Sequence, residues 1–302
     1  MGIDKENKYR IKSLIEEVER YKTEGNLLHA YQICISIISE YHDDFDVHIA
    51  FAEVCELIGN INPAIEAIKD FITEHDNDHR AIMFLGQFLL HNSRYDEAIN
   101  ALSLILPEEA PEVSFLTGYA HFLLEEYEHA SVHLKRYIKL NKSNLNIHSI
   151  FMLIKSQIQL KEYNDSLKLL KKFEKTFYYD DTFNLLSSIV YYNLGMIEHA
   201  VAHIERAIAI QPKDSQINLW SGKIHFKAEN LSKAEKSLLV SVNHSEDISS
   251  EACYLLAEIY LQQNKIDEAL KYYDLAVKLE PKKRKFIDSL DKLILQNKNT
   301  NE

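Results

Sequence analysis

The sequence predicts an all-α protein, and two observations support that prediction: glycine and proline are rare, and small residues recur at a nearly constant spacing. Seven glycines and five prolines among 302 residues are few for an all-β fold or for glycine-rich phosphate loops. A hydrophobic fraction of 46% is sufficient to form a buried core. Helices are therefore favoured over strands, and a disordered chain is not expected.

The recurring small residues define a repeat. They stand in the same local setting and most of them lie 34 residues apart, with steps of 32, 36 and 35 as the exceptions: Ala30, Ala64, Ala98, Ala130, Ser166, Ala200, Ala234 and Ala269. A period near 34 fits a unit of two amphipathic helices. We therefore predict eight units, near residues 11–44, 45–78, 79–110, 111–146, 147–180, 181–214, 215–249 and 250–283.

The last unit identifies the family that the repeat resembles. Its first helix carries a Leu, a small residue and a Tyr, its second carries Ala, an aromatic residue and Ala, and a proline closes it: Leu256, Ala257, Tyr260, Ala269, Tyr273, Ala276 and Pro281. This pattern resembles the tetratricopeptide repeat (TPR) family. The resemblance implies a right-handed superhelix of about eight TPR helical hairpins, with the first helices lining an inner groove.

The two ends of the array are expected to differ from its units. Residues 1–10 form a polar N-terminal segment without the apolar core of a signal sequence. After the last unit, apolar residues at helical spacing predict a capping helix over residues 284–295 that covers the exposed end of the core. Residues 296–302 are polar and are expected to be a frayed tail.

The glycines fit two structural roles. Gly25, Gly59 and Gly195 occupy the turn between paired helices, where a positive φ is needed, and Asn264 takes that position in the last unit. Three others are expected where paired helices cross closely: Gly86, Gly118 and Gly222. Only Gly2 remains, so no glycine-rich phosphate loop is available.

No catalytic, cofactor or metal site is predicted. Two histidine pairs, His129 with His133 and His199 with His203, lie four residues apart, but neither has the glutamate of a metalloprotease motif. Both occupy equivalent slots of second helices, so we interpret them as solvent-facing. Acidic clusters at residues 42–46 and 74–78 lie at joints between units and are interpreted as helix N-caps.

Charge and cysteine use restrict the partners and the compartment. Residues 1–150 hold 13 Lys and Arg against 25 Asp and Glu, a net charge of −12, whereas residues 151–302 hold 21 of each. This charge argues against nucleic acid and allows a basic protein partner at the acidic half. No apolar run is long enough to span a membrane. Three widely separated cysteines suggest reduced thiols and a cytoplasmic protein.

The groove-facing slots of the first helices supply the candidate binding site. They are rich in large apolar side chains from the third unit onward, and the set is Met83, Phe115, Tyr119, Phe122, Phe151, Met152, Ile189, Tyr192, Trp220, Lys223, Phe226 and Tyr254. The family resemblance implies a non-enzymatic scaffold or adaptor that binds an apolar or amphipathic segment of a partner protein there. The alternatives are a regulatory or substrate-docking subunit of a separate enzyme or secretion machine, and a self-assembling coat on a membrane-bound compartment.

Overall fold

The computed structural model describes the backbone of residues 2–141, 145–245 and 248–301 and the side chains of residues 7–141, 145–245 and 248–297. These residues form seventeen α-helices and no strand. The predicted all-α helical repeat is therefore confirmed. No helix among the described residues is both long and apolar enough to cross a membrane.

The chain divides into two compact units, residues 1–145 and 146–302, a division that the repeat pattern did not predict. The N-terminal unit contains α1 (Gly2–Thr23), α2 (Leu27–Glu40), α3 (Phe45–Ile58), α4 (Asn62–Glu74), α5 (His79–His91), α6 (Tyr95–Leu102), α7 (Pro111–Leu123) and α8 (Tyr127–Leu140). Each odd-numbered helix packs on the helix that follows it, which gives hairpins 1 to 4. Successive hairpins also pack on one another through α2 and α3, α4 and α5, and α6 and α7.

The C-terminal unit contains α9 (Ile147–Gln159), α10 (Tyr163–Phe173), α11 (Asp181–Asn193), α12 (Ile197–Ile210), α13 (Ser215–Lys227), α14 (Leu231–Asn243), α15 (Ser250–Gln262), α16 (Ile266–Leu279) and α17 (Arg284–Asn301). The first eight of these helices pair as hairpins 5 to 8. Helix α17 packs on α16, and its Phe286 and Leu293 are buried in the core of hairpin 8.

The two ends of the chain are more helical than the sequence pattern indicated. Helix α1 begins at Gly2, inside the segment assigned as residues 1–10, and α17 continues to Asn301, beyond the assigned limit at residue 295. Both extensions are rich in Lys, Glu, Gln and Asn and contain no proline that would stop a helix. The apolar periodicity that located the units is absent there, so it could not indicate these turns.

The turns inside the hairpins confirm the predicted role of the positive-φ position. Gly25, Gly59 and Gly195 have φ of +75°, +80° and +74°, and Asn264 has φ of +58°. The same turn position has positive φ in the other four hairpins, where it is held by Ser93, Glu125, Lys161 and Glu229. The helix pair therefore imposes a left-handed residue at this position even on side chains that disfavour it.

The close crossings predicted at glycine are also confirmed. A Cβ atom added to Gly222 would lie 2.4 Å from Cγ of Leu238, and one added to Gly118 would lie 2.9 Å from Cγ of Leu134. In each case the leucine lies on the second helix of the same hairpin. The two helices therefore approach too closely for a side chain on the first one.

The cysteines and the acidic joints have the structural roles expected of them. Burial raises the pKa of Cys34 to about 12 and the pKa values of Cys55 and Cys253 to about 11, so all three are neutral thiols in the core. Asp44 and Asp78 cap α3 and α5 by accepting hydrogen bonds from backbone N–H groups at 3.0 and 2.9 Å.

Candidate binding surfaces

In the N-terminal unit, the predicted groove residues lie on α5 and α7 and are partly open to solvent. Met83, Phe115 and Phe122 are half-buried, and Tyr119 is 36% exposed. The Phe115 ring stacks against Tyr119 with a centroid distance of 6.4 Å and also contacts Tyr137 on α8 at 5.4 Å. Tyr119 is therefore the most accessible of these four side chains.

In the C-terminal unit, three of the predicted groove residues are buried. Phe151, Ile189 and Tyr254 are 7%, 8% and 7% exposed. The Tyr254 ring stacks on Phe286 of α17 at 4.8 Å, so the capping helix covers it. Met152 and Phe226 are half-buried. The buried three belong to the core of the free protein and are not accessible to a partner.

The remaining predicted residues of the C-terminal unit lie together on successive first helices. Tyr192 on α11 meets Trp220 on α13 edge to face at 5.9 Å. The Lys223 ammonium group lies 4.0 Å from the Trp220 ring centroid and 3.0 Å from Oε1 of Glu251 on α15. Burial and the Glu251 carboxylate raise the pKa of Tyr192. Lys223 is thus already paired, while Tyr192 and Trp220 remain half-buried.

A cleft that the sequence did not indicate lies between α1 and α3 in the N-terminal unit. Its volume is about 580 Å³, and its lining residues are Lys8, Ile11, Lys12, Ile15, Glu16, Glu19, Asp44, Asp46, Ile49, Ala50 and Glu53. Four of these residues are apolar. Five are carboxylates and two are lysines, so the charged part of the lining is mainly acidic. Because α1 and α3 are both first helices, the cleft lies on the helices that the family resemblance assigns to the inner surface.

Ion pairs hold the two walls of this cleft together. The Lys22 ammonium group lies 2.7 Å from Oε1 of Glu19 on α1 and 2.6 Å from Oε2 of Glu53 on α3. Burial alone would lower the pKa of Lys22, but the hydrogen bonds to these two carboxylates outweigh it and raise the pKa. Glu16 has a weaker contact with Lys12, at 3.9 Å. The walls are thus fixed near Lys22, and Glu16 is paired less tightly than Glu19 and Glu53.

The histidine pairs differ from the prediction that both face solvent. His203 is only 6% exposed and His133 is half-buried, so the prediction is wrong for these two; His129 and His199 are exposed. The physical reason is that a ring on the first helix covers the second histidine of each pair. Tyr191 stacks on His203 at 5.3 Å, and His121 stacks on His133 at 5.4 Å.

Hydrogen bonding distinguishes His203 from His133. The Asn184 side chain donates to the carbonyl oxygens of Tyr178 and Asp180, so its own oxygen accepts a bond of 2.9 Å from Nδ1–H of His203. Burial, then the charges of Arg206 and His199, lower the pKa of His203 to about 4. In hairpin 4, the Nδ1 atom of His133 is buried with no hydrogen-bond partner.

The fold and these surfaces define a class of protein: an array of helical hairpins whose first helices carry partly open side chains. Family models described as tetratricopeptide repeat match residues 59–113, 182–214 and 250–283. These matches identify tetratricopeptide repeats in three stretches of the chain.

Solved structures with the same fold differ widely in sequence from this chain. A chain of the APC/C hetero-tetramer Cut9-Hcn1 is 15% identical with a TM-score of 0.60, and the match covers 88% of this chain and 52% of that one. Yeast Tom70 is 16% identical with a TM-score of 0.53, over 92% and 60% of the two chains. PilF of Pseudomonas aeruginosa is 12% identical with a TM-score of 0.59, over 70% and 96%.

A human protein is more similar over a shorter stretch. The human protein O-mannosyl-transferase TMTC1 is 35% identical over 104 residues, which is 33% of this chain and 11% of that protein. The matched length corresponds to about three repeat units. This chain therefore matches only about a tenth of the length of that relative.

Proposed function

We propose that this protein is a non-enzymatic scaffold that binds a basic, amphipathic segment of a partner protein in the cleft between α1 and α3. The observation that carries the proposal is the composition of the cleft. Ile15 and Ile49 are half-buried and offer an apolar surface, Ile11 is a buried part of the same lining, and carboxylates surround them. An amphipathic helix or strand presents the complementary arrangement, with an apolar face and flanking cations.

The charge of the surrounding unit supports a basic ligand. Residues 1–145 carry the whole net charge of −12, because residues 146–150 contain no Lys, Arg, Asp or Glu. The field of such a unit attracts cationic segments and raises their association rate, and salt weakens this effect. Lys22 neutralises part of the charge at Glu19 and Glu53, so the long-range field and Glu16 contribute more than those two carboxylates.

The aromatic pair in the C-terminal unit supports the same kind of function there. Tyr192 and Trp220 are half-buried neighbours on consecutive first helices, and aromatic side chains of this kind are frequent anchors at protein interfaces. We keep them, with Tyr119 and Phe122 of the N-terminal unit, as candidate contacts for apolar side chains of a partner.

The family comparison is consistent with a role in binding proteins. One structure with this fold is a chain of the Cut9-Hcn1 hetero-tetramer. A fold of this kind can therefore present its surface to a second protein. The similarity to TMTC1 is confined to 11% of that protein, so its activity is not transferred to this chain.

A peptide titration tests the cleft. The probe is a fluorescein-labelled amphipathic peptide of Leu and Lys, and its matched control has Glu in place of Lys. Anisotropy should show binding of the Lys peptide that weakens as salt rises, and no binding of the Glu peptide. Replacing Ile15 and Ile49 with Ser should lower the affinity about tenfold or more, since apolar area is lost from the cleft.

Two further variants distinguish binding in the cleft from nonspecific binding to apolar or charged surface elsewhere on the protein. Ile35→Ser removes a 46% exposed isoleucine on α2, outside the cleft, and should leave the affinity unchanged. Glu16→Lys should slow association without changing the circular dichroism spectrum. Equal binding of both peptides, or the same loss of affinity in the Ile35 variant as in the cleft variant, would rule out this site.

A further inference from the structure

The side chains at the tip of hairpin 4 form a cluster that the binding function does not use. His121 lies in the last turn of α7, Glu126 is the residue before α8, and His129 lies in the first turn of α8. The turn between them has positive φ at Glu125 and is closed by a hydrogen bond of 2.9 Å from the Glu126 N–H to the His121 carbonyl oxygen. The backbone thus fixes three potential metal ligands at one point.

The donor atoms of these three residues converge. One ligand atom from each of His121, Glu126 and His129 lies within 4.8 Å of the others. Nδ1 of His121 is 2.6 Å from Oε2 of Glu126, and Nδ1 of His129 is 3.9 Å from the same oxygen. A tetrahedral ion with bonds of about 2.1 Å separates its ligand atoms by roughly 3.4 Å, a spacing that small side-chain rotations would reach.

One ligand of the cluster is largely buried, and the other two are open to solvent. The side chain of His121 is 13% exposed, while those of Glu126 and His129 are 48% and 69% exposed, so an ion can enter from solvent. The His133 ring stacks on His121 at 5.4 Å and restricts its orientation. This stacking limits rotation of the His121 ring, whose Nδ1 atom is already directed at Glu126.

Hairpin 6 supplies an internal comparison. It has the same histidine pair, and Tyr191 stacks on His199 at 5.1 Å, the same centroid distance that separates His121 from His129. The residues at the positions of His121 and Glu126 are Tyr191 and Met196, neither of which completes a set of nitrogen and carboxylate donors. The residues at two equivalent positions therefore decide whether the hairpin has three possible metal ligands or only a cluster of stacked rings.

We propose that His121, Glu126 and His129 bind a divalent transition-metal ion of the Zn²⁺ type. Two imidazoles and one carboxylate suit Zn²⁺ and its neighbours in the series, and they disfavour Mg²⁺ and Ca²⁺, which prefer all-oxygen sites. In the metal-free chain Nδ1–H of His121 donates to Glu126, so the ion displaces that proton to solvent and the ring takes up a proton at Nε2. Each imidazole then offers one unprotonated nitrogen, and water completes the coordination. The ion joins the end of α7 to the start of α8.

The test is a titration of the full chain, purified without a histidine tag. Co²⁺ should bind one equivalent per chain, produce visible d–d absorption bands, and be displaced by Zn²⁺ but not by Mg²⁺ or Ca²⁺. Zn²⁺ should also raise the melting temperature, because it binds the folded hairpin. The variant His121→Tyr with Glu126→Met copies the arrangement of hairpin 6 and should lower Zn²⁺ affinity about a hundredfold or more.

Matched variants in hairpin 6 make the result decisive. His199→Gln should leave Co²⁺ binding unchanged, and Tyr191→His with Met196→Glu should raise the count from one ion to two. Melting temperatures in chelator show whether each variant folds. The proposal is overturned if the parent protein does not bind one ion, or if the His121 and Glu126 variant still binds it. It is also overturned if the His199 variant loses binding, or if the reciprocal variant in hairpin 6 still binds only one ion.

Discussion

Hairpin 4 and hairpin 6 have nearly the same backbone and different chemistry. In each, a first helix of 13 residues precedes a second helix of 14 residues that carries the histidine pair. The ring stacked on that pair lies at the same position of the first helix, and the centroid distances agree within 0.1 Å. The repeat therefore fixes where side chains meet, independently of which side chains they are.

Two of the differences between these hairpins affect the inner histidine and the turn. Asn184 in hairpin 6 corresponds to Ser114 in hairpin 4, and Gly195 corresponds to Glu125. Asn184 pairs with His203, whereas the Ser114 hydroxyl and Nδ1 of His133 are buried without a hydrogen-bond partner. We infer that the exchange of Asn184 for Ser114 decides whether Nδ1 of the inner histidine has a hydrogen-bond partner, and three pairs of substitutions test the comparison of the two hairpins.

The largest effect is expected from exchanging the residues at the asparagine position. Asn184→Ser removes three hydrogen bonds and leaves Nδ1–H of His203 unpaired, so the free energy of unfolding should fall by about 2–4 kcal/mol. Ser114→Asn should raise it by about 0.5–1.5 kcal/mol, because the amide can pair with His133. Urea unfolding at neutral pH measures both, and effects of the same sign would contradict the comparison.

The second effect is a pH dependence of the C-terminal unit. The pKa of His203 is about 4 in the folded protein, against an ordinary value of 6.5. Between these two pH values the unfolded chain binds a proton at His203 that the folded protein does not bind. The contribution of His203 to the free energy of unfolding is therefore fully present above pH 6.5 and is lost as the pH falls towards 4. The loss should be roughly 1–3 kcal/mol.

Variants at the two histidines of hairpin 6 isolate this contribution from the titration of carboxylates. His203→Gln can still donate to Asn184 but does not ionise, so the loss between pH 6.5 and 4 should be smaller than in the parent protein. His199→Gln changes an exposed ring whose charge lowers the pKa of His203 less than burial does, so it should reduce the loss less than His203→Gln. The measurement is urea unfolding at several pH values, and parallel curves for all three proteins would exclude His203 as the cause.

The smallest effect concerns the turn. Glu125 has φ of +59° and Gly195 has φ of +74° at the same position. Glu125→Gly should stabilise hairpin 4 by about 0.5–1 kcal/mol because the left-handed backbone no longer opposes a side chain, and Gly195→Ala should destabilise hairpin 6 by a similar amount. Opposite shifts in the urea midpoint are the expected result; a destabilised Glu125→Gly protein would show that its side chain has another role.

The hairpins could be predicted from the sequence because their packing repeats. A small residue such as Ala130 or Ala200 must stand wherever two helices cross, and both are fully buried. The positive φ of Glu125 or Lys161 could not be predicted, since neither residue type favours it. There the packing of two helices overrides the local preference.

The candidate sites were less predictable because they depend on neighbouring helices. The pattern of α12 alone places His203 at a polar slot, and only Tyr191 and Asn184 on α11 show that it is buried. Likewise, Tyr254 occupies a groove slot of α15, but α17 covers it. The cleft between α1 and α3 is a space between helices, and no periodicity within one helix reports it.

The asparagine at the start of a first helix has a consequence for how such arrays can be recombined. Asn184 donates to the Tyr178 carbonyl and Asn218 donates to the Pro212 carbonyl, in each case to the connection that follows the preceding hairpin. A whole hairpin that is duplicated or moved therefore leaves its asparagine facing a foreign connection. The module that can be transplanted intact runs from the middle of one hairpin to the middle of the next, so that each asparagine travels with the carbonyl it recognises.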